Sequence, residues 1–407
     1  MNDIRRTILW VIFGFSMVLL WDKWQLHNGN KATFFPSPAA VGAAAPAAGA
    51  SAPLAGAASV PASTAPAVAS IGASAVPGTP APAAPAAREK IEVTTDVYRL
   101  TFDGEGGSLT HAELLKHADM TDKAKNFVLF DESTQRVYAA QTGLIGGSFP
   151  THKTVMTAVP GPRALKDGEN ELTIRFESPE QGGVKLVKTW TLKRGAYDIA
   201  VKHEVVNVGS TAVSPQLYLQ LVRDGNKPPG ESSFYSTFTG PAVYTDAKKY
   251  QKIEFKDIEN GKVDIPKESP NGYVAMVQHY FASAWLLADG VQRELFTRKV
   301  SDNLYSVGMI TPLGNIDPGT TKAVDARLFA GPQVETMLEK LYPGLELVKD
   351  YGWLAILSKP LYWLLDQLHK LLGNWGWSIV ALVLLLKIAF YWLNAKAYAS
   401  MAKMKAI

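Results

Sequence analysis

One charged residue lies inside the most apolar run of this sequence. Lys387 falls within Trp377–Leu393, which is otherwise apolar except for Ser378. On a helix it lies ten residues beyond Trp377, about 15 Å along the axis and near the middle of a bilayer. A lysine at that depth costs about 2.5–3.5 kcal/mol, so such residues usually face a hydrated cavity or a polar partner. The alternative is snorkelling, in which the ammonium group reaches the cytoplasmic boundary.

No recognisable set of catalytic or metal-ligating residues accompanies this lysine. The sequence has no cysteine, which excludes disulfides, thiol nucleophiles and cysteine-ligated metals. Its seven histidines are dispersed, without the spacing of four residues that places two metal ligands on one helix face. Gly104–Gly107 lies between two strand-like runs and is predicted to be a hairpin turn, and Gly261-Lys262 lacks the rest of a nucleotide-binding loop. We therefore expect no cofactor, no metal and no enzymatic activity.

The elements that would position Lys387 begin with an apolar amino-terminal segment. Residues 1–26 carry Arg5 and Arg6 near their beginning, followed by an uncharged run from Thr7 to Trp21. This pattern predicts a transmembrane signal-anchor helix. A cleaved secretory signal is the alternative. Three tryptophans are predicted membrane-interface anchors, because their rings favour the headgroup region. They are Trp10, Trp21 and Trp24.

A tether and a large domain follow. Residues 32–87 carry no charge and consist mainly of Ala, Pro, Ser and Gly, which predicts a disordered linker. Residues 88–345 contain short runs of alternating apolar and polar residues between Gly-, Asn- and Pro-rich turns, which indicates antiparallel strands and a large all-β sandwich. Within them, Gly272–Ala288 is predicted to form buried strands and the segment after Gly331 a closing helix.

The carboxyl-terminal part is predicted to lie at and in the membrane. Residues 352–372 repeat leucines at helical intervals with charges between them, which predicts an interfacial amphipathic helix; packing on the sandwich is the alternative. Residues 377–395 are predicted to form a second transmembrane helix, with Trp375 and Trp377 as interface anchors. Lysines gather beyond this run in 396–407, which predicts a cytoplasmic end. The net charge of +4 is too small to predict direct nucleic-acid binding.

Two motifs resemble a known family. Gly373–Ile379 (GNWGWSI) and Ala399–Lys405 (ASMAKMK) are similar to segments of the Oxa/YidC/Alb family of membrane protein insertases. Supporting stretches are Asp350–Leu354, Leu192–Gly195 and Gly272–Trp285, and the resemblance covers essentially the whole chain. It implies a multi-pass protein of the bacterial inner membrane with a cytoplasmic amino terminus and a periplasmic β-sandwich, as in Gram-negative members. The partners it implies are nascent membrane proteins, the Sec translocon with its accessory subunits, the ribosome and membrane lipids.

In that family an arginine of this span lies in a hydrophilic groove within the membrane. Lys387 matches its position, counted back from Ser400–Met404, and keeps the charge without the planar fork of arginine. Trp392 stands where the family has a helix-kinking proline. Members of the family continue beyond the position of Ile407 with a cytoplasmic helical hairpin and further spans. Residues 396–407 resemble the first turns of that hairpin. We therefore expect the chain to be a fragment of an insertase and Lys387 to line its client-binding groove.

Two other classes of function stay open at this point. A membrane-anchored sandwich that binds or isomerises carbohydrate would need paired carboxylates and a histidine around a pocket. A passive scaffold for the export machinery would depend on the sandwich more than on the span.

Overall fold

The computed structural model describes residues 89–228, 237–349, 355–391 and 395–396 of the chain. The predicted amino-terminal helix 1–26 with Trp10, Trp21 and Trp24 lies outside the described residues. So do the predicted tether 32–87 and all but the first residue of the predicted hairpin segment 396–407.

Eighteen strands and four α-helices are defined in the described residues. The strands are β1 (Lys90–Thr94), β2 (Tyr98–Asp103), β3 (Ser108–Ala118), β4 (Asn126–Glu132), β5 (Val137–Ile145), β6 (Thr157–Ala158), β7 (Glu171–Glu177), β8 (Val184–Lys193), β9 (Asp198–Asn207), β10 (Gln216–Asp224), β11 (Gly240–Thr245), β12 (Lys249–Lys252), β13 (Glu268–Ser269), β14 (Tyr273–Gln278), β15 (Phe281–Leu287), β16 (Arg293–Ser301), β17 (Leu304–Pro312) and β18 (Thr321–Pro332). The helices are α1 (Phe255–Glu259), α2 (Glu335–Leu341), α3 (Ala355–Leu372) and α4 (Trp375–Ala389), and a 3-10 turn spans Leu345–Val348.

The strands form two nine-stranded sheets that pack face to face. The spatial order is β1-β2-β3-β4-β5-β10-β17-β16-β13 in the first sheet and β12-β11-β14-β15-β18-β9-β8-β7-β6 in the second. Strand β7 shows why the chain folds in this way: Leu172, Ile174 and Phe176 are buried between the sheets and the residues alternating with them are exposed. The predicted all-β sandwich is confirmed.

The apolar stretch Gly272–Ala288 forms the strand pair β14 and β15, in which every residue is buried. The 3-10 turn packs against β14, and its Leu345 and Val348 are almost fully buried. Burial on both faces explains why this stretch lacks a polar alternation. The predicted buried strands, the closing helix after Gly331 and the hairpin turn at Gly104–Gly107 are confirmed.

A buried lysine joins the two sheets. The ammonium group of Lys188 on β8 donates to the carbonyl oxygens of Gly106 at 2.6 Å and of Thr142 on β5 at 2.7 Å. His203 contacts the Thr142 hydroxyl at 3.0 Å and is also fully buried. Burial lowers the pKa of Lys188 to about 7, because the charged form loses its hydration.

This lysine makes stability depend on pH. Its pKa in the folded state lies below that in the unfolded chain, so the unfolded state binds more protons between about pH 7 and pH 10. The free energy of unfolding should therefore rise by about 2 kcal/mol from pH 7 to pH 9, and Lys188→Met should abolish that rise. Urea unfolding of the detergent-solubilised chain, followed by near-ultraviolet circular dichroism of the buried Trp190 and Trp285, measures it.

Lys185→Met is the matched control, because Lys185 is exposed on the same strand and should leave the pH dependence unchanged. If the free energy of unfolding rises equally with pH in Lys188→Met and in the unsubstituted protein, Lys188 is not the source of the pH dependence.

Candidate functional site

The route from the sandwich to the carboxyl-terminal helices is fixed by a buried arginine. Arg293 of β16 donates to the carbonyl oxygens of Gly272 and Ala288, each at 2.6 Å, of Val291 at 2.9 Å and of Pro270 at 3.2 Å. Burial lowers the pKa of Arg293, and the neighbouring Tyr342 and Asp289 oppose that effect. The guanidinium group therefore ties together the loops at one end of β14 and β15.

The segment after α2 docks against this end of the strands. The Tyr342 hydroxyl accepts the amide hydrogen of Gly272 at 2.8 Å and also bonds the carboxylate of Asp289. The Tyr273 hydroxyl donates to the carbonyl oxygen of Gly344 at 2.8 Å. Gly344 has φ of +82°, and a side chain there would collide with the Tyr244 ring. Residues 342–348, the docked connector, thus follow one path across the sandwich.

The docked connector leads back to the start of α2 and then to α3. The Lys349 ammonium group lies 3.9 Å from the carboxylate of Glu335 and 3.8 Å from the ring centroid of Tyr362 on α3. Burial lowers the pKa of Lys349, and the Glu335 carboxylate raises it. These contacts place Tyr362 of α3 next to Lys349, the residue that follows the docked connector.

A tight corner joins α3 to α4. Gly373 ends α3 with φ of +65°, and its amide donates to the carbonyl oxygen of His369 at 2.8 Å. The side chain of Asn374 then accepts the Trp377 amide hydrogen at 3.2 Å and caps the first turn of α4. The His369 ring stacks on that of Trp375, with centroids 3.8 Å apart and planes 9° from parallel. The cap explains why α4 begins at Trp375, two residues before the predicted start.

Lys387 is the sole charged residue of α4. It lies twelve residues beyond Trp375, about 18 Å along the helix, and none of the ion pairs within the described residues involves it. Trp377, Ile379, Val383 and Leu385 point to different sides of the helix and are all exposed. The predicted anchors Trp375 and Trp377 are exposed at the start of the same helix. They and Lys387 lie near opposite ends of it and do not form one cluster.

The described part of α4 ends at Ala389, whereas the predicted span extended to residue 395, and residues 392–394 lie outside the description. Among the described residues, no helix combines the length and the apolarity needed to cross a membrane.

The exposed face of β7 and β9 carries ion pairs. On the exposed side of β7 and β9, Arg175 contacts Glu177 at 2.9 Å and Glu204 at 3.6 Å, and Lys202 contacts Glu204 at 3.1 Å. His203 of the same strand points the other way, between the sheets. In the described chain no group of three or more His, Asp or Glu side chains could hold a metal ion.

A cavity of about 260 Å³ at another end of the sandwich also lacks the required set. Its acidic residues are Asp131 and Asp224, and no histidine lines it. The Asp224 carboxylate accepts the amide hydrogens of Val137 at 2.7 Å and Asn226 at 2.9 Å. The paired carboxylates and histidine that a sugar isomerase needs are therefore not found around this cavity.

Several residues that position the helices were not singled out from the sequence. Arg293 and Tyr342 have partners elsewhere in the chain, so no local spacing marks them. His369 stacks on Trp375 only because the chain turns at Gly373 between them. Asn374 did carry a signal, because an asparagine before an apolar run is a typical helix N-cap.

Fold and helices together define a class of protein: a β-sandwich whose docked connector leads to an amphipathic helix and then to an apolar helix with one lysine. The family model of the YidC periplasmic domain matches residues 90–364. Membrane protein insertase YidC of Janthinobacterium sp. (strain Marseille) is 49% identical over 407 residues, covering 100% of this chain and 71% of that protein. Membrane protein insertase YidC of Cupriavidus necator is 52% identical over 403 residues, covering 99% of this chain and 71% of that protein.

The chain belongs to the YidC family of membrane protein insertases. Among solved structures, a putative aldose 1-epimerase from Escherichia coli K12 is similar with a TM-score of 0.37 and 9% identity, covering 60% of this chain and 99% of that one. At that TM-score the similarity carries no conclusion about activity.

The Asn374 cap should control the stability of the first turn of α4. Asn374→Ala removes the acceptor of the Trp377 amide hydrogen, which costs about 1 kcal/mol and should speed hydrogen exchange there about fivefold. Asn374→Ser, which keeps a capping oxygen, should exchange nearly as slowly as the unsubstituted protein. Hydrogen–deuterium exchange of the detergent-solubilised chain measures both variants. Equal protection in the alanine variant would rule out a role for the cap.

Proposed function

We propose that this protein facilitates the insertion of membrane proteins into the inner membrane, with Lys387 on the wall of a hydrated groove that receives polar parts of the client. The observation that carries the proposal is α4 itself. Its apolar side chains are exposed around the helix, and its single charge has no ion-pair partner among the described residues. A helix that is apolar on all sides belongs in a membrane or a protein core.

The proposed topology has both chain ends in the cytoplasm and the sandwich in the periplasm. In it, residues 1–26 and 377–395 span the membrane, and 352–372 lies along its periplasmic surface. Trp375 and Trp377 at the start of α4 would lie at the periplasmic headgroups. Lys387 would then lie about 15–18 Å deeper, at the middle of the hydrocarbon layer.

The proposed mechanism is electrostatic and needs no cofactor. An ammonium group at that depth keeps water in the groove, because removing its hydration would cost several kcal/mol. A short polar or acidic segment of a client enters this hydrated space at a lower free energy than it would enter lipid. The apolar segment that follows then partitions into the bilayer, which is favourable in proportion to its buried apolar area.

The proposed partners follow from this chemistry and from the family. Clients are nascent membrane proteins, which either arrive directly from the ribosome or are passed on by the Sec translocon and its accessory subunits. Membrane lipids form the open side of the groove. Ion pairing of the carboxylates on the exposed sheet face disfavours a carbohydrate-processing role for the sandwich.

Lys387→Ala should impair insertion of clients whose translocated tails are acidic. Loss of about 1 kcal/mol of charge attraction corresponds to a fall of about fivefold in the insertion rate. Lys387→Arg should keep most of the activity, because it preserves the charge. Protease accessibility of a client tail, in cells whose sole copy of the gene carries the substitution, measures the effect.

Two controls make this experiment specific. A client with an uncharged tail should be inserted at nearly the same rate by the Lys387→Ala variant. Lys370→Ala changes a lysine of α3 that is paired with Asp366 at 2.7 Å and should leave insertion unchanged. Undiminished insertion of acidic tails by Lys387→Ala would overturn the proposed role of this residue.

A further inference from the structure

One end of the sandwich carries exposed apolar side chains from three separate segments. They are Met120 in the β3–β4 loop, Tyr280 in the β14–β15 turn and Val334 before α2, which we call the exit patch. The Gln333 amide donates to the Tyr280 carbonyl oxygen at 2.9 Å, which joins the second and third segments. The Phe127 ring at the end of the β3–β4 loop stacks on that of Phe281 at 3.9 Å, which joins the first and second.

Tyr280 is the most exposed large apolar side chain of the described sandwich, at 59%. Met120 is 36% exposed and Val334 43% exposed. In the same loop as Met120, Lys123 is exposed, and the exposed Lys125 is paired with Asp122 at 3.2 Å. Apolar side chains, a tyrosine and lysines are the combination that favours the boundary between lipid headgroups and acyl chains.

The docked connector packs against the opposite end of β14 and β15, and the chain then returns to the exit patch at Lys349. Val334 is followed by Glu335, whose carboxylate lies 3.9 Å from the ammonium group of Lys349. Lys349 is the last residue described before α3. The six residue steps from Lys349 to Ala355 span at most about 20 Å. Tyr362 of α3 lies against Lys349 as well. The exit patch is therefore held close to α3 by the chain itself.

We propose that the exit patch rests on the lipid surface beside α3, with the Tyr280 ring at the depth of the headgroups. This inference rests on the proposed function, because it takes α3 to lie along the membrane and α4 to enter it. The sandwich is then a domain seated on the bilayer in one orientation, next to the entrance of the groove. The exposed apolar area of Tyr280, Val334 and Met120 is removed from water, which favours this seating.

A residue at the opposite end provides a matched control. Val208 follows β9 and is 42% exposed, almost the same as Val334. The two valines flank opposite ends of β18, since Thr321 pairs with Val206 and Pro332 pairs with Phe281. The twelve residues of β18 separate these ends by about 40 Å. A comparison of the two valines tests position in the fold at equal exposure.

The absence of cysteine from the sequence makes the test direct. Single-cysteine variants Val334→Cys, Val208→Cys and Val383→Cys are labelled with an environment-sensitive fluorophore, and each full chain is reconstituted into phosphatidylethanolamine–phosphatidylglycerol vesicles. Lipids with a spin label at the headgroup or deep in the acyl chain then quench the fluorophore at the matching depth. Val383 lies in α4, four residues before Lys387, and reports whether that helix is in the membrane.

We expect headgroup-labelled lipid to quench the Val334 label at least threefold more than the Val208 label, and acyl-labelled lipid to quench the Val383 label. Adding Tyr280→Asp to Val334→Cys should remove at least half of the headgroup quenching, because a charge replaces the interfacial ring.

The outcomes separate this inference from the proposed function. If Val383 is quenched by acyl-labelled lipid while Val334 is quenched no more than Val208, the seating on lipid is wrong and the membrane helix stands. Shielding of Val334 from aqueous iodide without quenching by lipid would show that protein covers the patch, which also overturns the proposal. If Val383 escapes the acyl-labelled lipid, the proposed topology itself fails.

Discussion

A single buried guanidinium group determines how the sandwich is connected to the helices that follow it. Arg293 bonds backbone carbonyl oxygens, so its charge is compensated by oriented dipoles of the loops it ties together. Those loops present the Gly272 amide to Tyr342, and Tyr342 starts the docked connector. Because a buried charge is costly once its partners are lost, this arrangement resists rearrangement. The direction in which the chain leaves towards α3 and α4 depends on it.

The molecule separates two physical tasks. In the sandwich, the buried ammonium group of Lys188 is satisfied by two carbonyl oxygens. In α4, the apolar side chains and the one lysine are left exposed by the rest of the described chain. A folded domain and a helix with exposed apolar side chains thus lie on either side of the docked connector.

Family membership and geometry point to the same division. The periplasmic-domain model matches the sandwich and part of α3, while the exposed sheet face carries ion pairs in place of an acid–base set. The proposed function therefore depends on the helices, with the sandwich as their support.

Much of this protein could be predicted from its sequence, because local patterns report local environments. Alternation in Glu171–Glu177 revealed a half-buried strand, and the isolated charge of Lys387 in an apolar run pointed to the membrane. The motif at Gly373–Ile379 identified the family. Strand order, the partners of Arg293 and Tyr342, and the contact of Lys349 with Tyr362 were decided by tertiary structure alone. The reason is that such contacts join residues with no regular spacing in the chain. Local propensities therefore do not encode them, and only the packing of the whole domain brings these residues together.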